Sequence, residues 1–141
     1  MPEHERVVSV VQEWVEKAEN DLKNAAHTLK MGADCPTDTV CFHAQQCVEK
    51  YLKAFLVLKG KDFPRTHDIS ELTALLPGGL KVVLAVEDER RLTSYATMVR
   101  YPGSSTPILL SEARSAVDTA RRVRRQIRGL LPQQALRRRR Q

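Results

Sequence analysis

Apolar residues along this chain recur at spacings of three and four, the period of an α-helix, and no run alternates as a half-buried strand would. The first such segment runs from about His4 to Met31, with Val7, Val11, Trp14, Ala18, Leu22, Ala25 and Leu29 forming one narrow stripe. Gly32 ends it, and Thr37 is placed to cap a second helix that Gly60 closes. In the second helix Cys41, Ala44, Val48, Tyr51, Leu52 and Phe55 share one face, and His43, Gln46, Glu49, Lys50 and Lys53 the other. Gln45 breaks the pattern, because its projection falls inside the apolar arc between Leu52 and Leu56. A buried amide without partners costs about 1–3 kcal/mol, so Gln45 marks a specific pairing across an interface, with Asp88 or a second subunit as the expected match.

Asp68 and Glu71 have the spacing of a capping box, predicting a short third helix from Ile69 to Leu76 that Pro77, Gly78 and Gly79 stop. A fourth helix is expected from Leu80 to Val99, with Ala85, Leu92, Tyr95, Ala96 and Val99 inward and Asp88 on the same face. Pro102 and Gly103 end it just after Arg100 and Tyr101. The fifth begins near Thr106 or Pro107 and reaches Leu131, on a spine of Leu109, Ala113, Ala116, Ala120, Val123, Ile127 and Leu130. Arg114, Arg121, Arg125 and Arg128 lie on its opposite side. Four long amphipathic helices with short connections predict an all-α fold, an up-and-down antiparallel four-helix bundle with an additional short helix. Residues 1–131 are expected to form this one bundle domain, and residues 132–141 a basic, disordered tail with nothing to bury.

Composition sharpens this picture at three points. Aromatics make up only 5% of the 141 residues, so the core must come from aliphatic side chains, which suits helices. No apolar run approaches the roughly 20 residues of a membrane span, and the first residues carry acids where a secretory signal would be apolar. Cys35, Cys41 and Cys47 are odd in number, and the last two sit six apart on one helix, where they cannot bridge. A cytoplasmic location follows from these features. Cys35, Cys41 and His43 match no zinc spacing and lack a fourth ligand, so neither a metal nor another cofactor is expected.

The charge is unevenly spread. Residues 121–140 hold nine arginines and no acid, which leaves the first 120 residues at about −3 within a whole-chain net charge of +6. Attraction to phosphate is therefore concentrated near the C-terminus, where Arg137, Arg138, Arg139 and Arg140 are candidate nucleic-acid contacts.

The stretches AENDLKNAAHTL, CFHAQQCVEKYLKAFL, THDISEL and YATMVRYP occur in this order between about Trp14 and Ile127. Together they resemble the HEPN domain, an all-helical family of prokaryotes and higher eukaryotes. The resemblance implies a helical bundle that pairs with itself as a homodimer. It also implies a small nucleotidyltransferase as partner, in a toxin–antitoxin-like system, and a nucleotide or RNA as ligand. Many members of the family are metal-independent ribonucleases that carry an Arg followed after four to six residues by a His. None of His4, His27, His43 and His67 stands so placed after an Arg, so the expected role is a non-catalytic module. The rival is a ribonuclease using Arg100 and His67, and a second rival is an assembly subunit without ligand. Arg100, Tyr101, His67, Lys50 and Lys53 are the candidate phosphate-binding residues, since guanidinium and ammonium groups match phosphate oxygens.

Overall fold

The computed structural model describes residues 2–78, 82, 84–98 and 107–137. Six α-helices occur among them, with no strand: α1 (Glu3–Leu29), α2 (Thr37–Leu58), α3 (Ile69–Ala74), α4 (Val86–Met98), α5 (Leu110–Arg128) and α6 (Gln133–Leu136), with a 3-10 turn at Gly32–Asp34 between α1 and α2. The fold is the all-α bundle that the pattern predicts. Helix α2 lies at its centre, packed against α1, α4, α5 and α3.

That position explains the composition of α2. Thirteen of its 22 residues are buried, including Gln45, Glu49 and Lys53. The side expected to face water is instead covered, which corrects the placement of Glu49 and Lys53 on a solvated face. The covering comes from α1 and from the connector after α2. Gly60, at φ +68°, lets the chain reverse there. Lys61 N–H donates to the Leu56 carbonyl and Gly60 N–H to that of Val57, which satisfies the last carbonyls of the helix. The connector then lays Phe63 edge-on against Trp14 of α1, with ring centroids 6.3 Å apart.

Helix ends differ from the sequence reading in instructive ways. Thr37 is the first residue of α2 rather than its cap, and its hydroxyl donates 2.8 Å to the Ile108 carbonyl, tying α2 to the segment that leads into α5. Asp68 caps α3 as expected, accepting from the N–H groups of Ser70 and Glu71. Helix α4 starts at Val86, six residues later than predicted, and Ala85 is exposed. Leu92, Tyr95 and Ala96 are buried, and the Tyr95 hydroxyl donates to Glu112 of α5. Asp88 is half-buried in the first turn of α4, where a negative charge complements the helix N-terminus; it is not Gln45's partner. Leu109 and Leu130 are exposed, so the spine of α5 runs only from Ala113 to Ile127.

The stripe on α1 is also rotated from its predicted centre. Val8, Val11, Val15, Ala18 and Ala25 are buried, while Val7, Trp14, Leu22 and Leu29 pack at its edge. Beyond Pro132 the chain forms α6, with Ala135 at 1% exposure and Leu136 against the core. The Gln12 amide of α1 donates 2.6 Å to the Gln134 carbonyl. Residues 133–136 are therefore part of the bundle, not of a disordered tail.

Candidate functional site

Among the described residues, three ion-paired clusters cross the bundle, each built around one buried or half-buried carboxylate. The first contains Gln45, which is fully buried. Its amide nitrogen donates to Glu49 Oε1 at 2.9 Å and to the His67 carbonyl at 3.2 Å, and its oxygen accepts from Gln46 at 2.6 Å. Gln45 therefore finds its partners inside its own chain, one turn further along α2 and in the connector, rather than on Asp88 or a second subunit.

Glu49 is the hub of this cluster. Its side chain is 4% exposed, and it also accepts from Lys53 Nζ at 3.0 Å and from His67 Nδ1 at 2.8 Å. Lys53 Nζ lies 5.5 Å from the Trp14 ring and 5.7 Å from that of Phe63, so aromatic faces complete its surroundings. A carboxylate only accepts, so the contact with Glu49 is made by a proton on Nδ1 of His67. The His67 side chain remains 56% exposed.

The second cluster escaped the sequence reading. Asp21 is buried on α1, where it accepts from His43 Nδ1 at 2.8 Å and from Lys50 Nζ at 2.5 Å. Its position three residues after Ala18 and four before Ala25, within the apolar stripe, was the available signal. Lys50 and Lys53 are thus each paired to a carboxylate, with 21% and 8% of their side chains exposed.

The third cluster joins α1, α2 and α5. Glu19 accepts both Nε and Nη2 of Arg124, at 2.8–3.0 Å, and Arg128 Nη1 at 3.2 Å. Arg128 Nη1 also donates to the Tyr51 hydroxyl at 3.3 Å. Burial by itself raises the Glu19 carboxyl, but the hydrogen bonds and charges of Arg124, with Tyr51 and Arg128, outweigh it and hold the group below the usual carboxylate range. The Glu19 hydrogen bond raises Arg124, and burial pushes the Tyr51 phenol up.

The described arginines not held by Glu19 are exposed. Arg114, Arg121, Arg122 and Arg125 are exposed on α5, and Arg121 lies 3.7 Å from Asp118, itself 69% exposed. Arg137 is exposed after α6. Arg100 and Tyr101, and Arg138, Arg139 and Arg140, lie outside the described residues. Among the described residues no group of three His, Cys, Asp or Glu side chains is arranged to hold a metal ion. The three cysteines are free and buried, and burial raises the Cys41 thiol to about 12. No described helix is long and apolar enough to cross a membrane.

A central helix sheathed by its neighbours, with a QQ-x-x-E element closed by a His-Asp connector, defines a class of helical bundle that the family comparison identifies. The HEPN domain model matches residues 11–130, and the chain belongs to the HEPN domain family. Among solved structures, TT1696 from Thermus thermophilus is similar at 28% identity and a TM-score of 0.72, over 86% of this chain and 98% of that one. ST0689, an archaeal HEPN homologue, is similar at 25% identity and a TM-score of 0.64, over 85% of this chain and 96% of that one. No curated protein matches the chain.

Proposed function

We propose that this HEPN-family chain is a non-catalytic module that binds the phosphate backbone of RNA. The observation that carries this reading is the outer face of α5, where Arg114, Arg121, Arg122 and Arg125 are exposed with Asp118 as the only exposed acid on that helix after Ser111. Arg114 to Arg125 spans eleven residues, roughly 16 Å at the helical rise, so the face presents a row of cations rather than a single pocket. Such a row neutralises phosphates and carries little sequence preference. Lys50 and Lys53 drop out of the proposed contact set because Asp21 and Glu49 hold them. A small nucleotidyltransferase remains the proposed protein partner on the family resemblance, and complexes isolated from the native host without one would remove that part. The self-pairing that the resemblance implies needs a surface other than α2, which its own chain encloses.

Titration of a labelled single-stranded RNA across a salt series tests the binding. With about 0.7 of a unit of salt slope per neutralised phosphate, Arg121→Glu/Arg125→Glu should flatten the slope by about 1.4 and weaken binding at least tenfold. Unchanged affinity and slope would refute the assignment to α5.

One observation favours the enzymatic rival. Glu49 orients His67 with its ring largely exposed, and a positioned imidazole can move protons. The same RNA incubated with a metal chelator should stay intact, since no Arg precedes a His at the ribonuclease spacing. Cleavage lost in His67→Ala would establish the enzyme instead.

A further inference from the structure

We infer that the groove between α1, the end of α5 and α6 is a docking site for an extended, acidic peptide segment of a partner protein. The groove encloses about 660 Å³. One wall is a single stripe of α1 from Gln12 to Lys23, eleven residues and so roughly 16 Å long, the reach of about five extended residues. The opposite wall is α6, and Val15 and Ala135 lie buried between the two.

Gln12 reaches across and donates to a backbone carbonyl, that of Gln134. Asn20, eight residues further along the same wall, presents a second side-chain amide. An amide offers a donor and an acceptor together, which matches the N–H and C=O of a peptide backbone.

Charge selects the side chains. Glu19 spends its charge on Arg124 and Arg128. Lys23 and Arg137, both exposed, have no carboxylate within ion-pair distance among the described residues. The groove therefore presents cations to a peptide's acidic side chains and the Asn20 amide to its backbone. A nucleic acid base finds no stacking partner here, because no aromatic side chain lines the groove.

The test uses the full chain and a fluorescein-labelled hexapeptide of alternating aspartate and serine, with a lysine–serine hexapeptide as the charge-reversed probe. Lys23→Glu should weaken the aspartate peptide about tenfold, or ~1.4 kcal/mol. Arg114→Glu, the same charge change roughly 21 Å along α5 from Arg128, should leave it nearly unchanged. Circular dichroism confirms that both variants, altered at exposed positions, stay folded. Equal loss in the two variants, or equal binding of the lysine peptide, would overturn the proposal. RNA binding measured on the same proteins separates the two sites. RNA affinity that falls in Lys23→Glu and not in Arg114→Glu would assign the groove to nucleic acid and overturn the peptide reading.

Discussion

At Glu49 a carboxylate with 4% of its side chain exposed accepts from an ammonium, an imidazole and an amide at once. Each donor compensates part of the cost of desolvating the charge, and none replaces the others. Removing the charge strands Lys53, itself only 8% exposed, beside Trp14 and Phe63. Glu49→Gln should therefore destabilise the protein by about 3 kcal/mol in urea unfolding. Glu49→Gln combined with Lys53→Met should recover more than half of that loss, because the buried cation goes with its partner. A double variant no more stable than Glu49→Gln would show that Lys53 is not the stranded group.

Helices here end where the chain supplies partners for the last backbone groups, and the connectors then cover what the helices leave open. The connector after α2 seals Glu49 through His67 and Phe63, which turns an amphipathic helix into a buried one. Helix α6 does the same for α1 with only four residues, anchored by Ala135 and the Gln12 hydrogen bond. Truncation after Leu131 should cost about 1–2 kcal/mol through the apolar area it uncovers. Truncation after Arg137 should stay within about 0.5 kcal/mol of the full chain. Equal melting midpoints for the two truncations would remove α6 from the folding unit.

Across the whole molecule, Glu19 is the point where α1, α2 and α5 share one charge network. Its carboxyl is lowered on folding, so it contributes stability above the unfolded value near 4.3 and loses it as pH falls through the folded value. Glu19→Gln should therefore destabilise the bundle at pH 7, and the difference from wild type should shrink as the pH drops below about 4. A difference independent of pH would mean that packing, not charge, is what Glu19 provides.

The period of three and four was enough to determine the all-α bundle, because a helix shows its buried stripe in its own spacing. The four stretches from AENDLKNAAHTL to YATMVRYP carried the HEPN family, and Gln45's projection showed an amide in the core. Which group meets that amide was decided only by tertiary structure. Glu49 and Lys53 read as solvated because periodicity describes one helix alone, while their burial depends on a connector folding back over α2. Residues 133–136 read as tail for the same reason, since a four-residue helix has no period to detect and gains its place from α1. Lys50 and Lys53 read as candidate phosphate ligands, and only the folded chain shows their pairing with Asp21 and Glu49. Sequence determines which residues can be buried; the third dimension decides which charges meet.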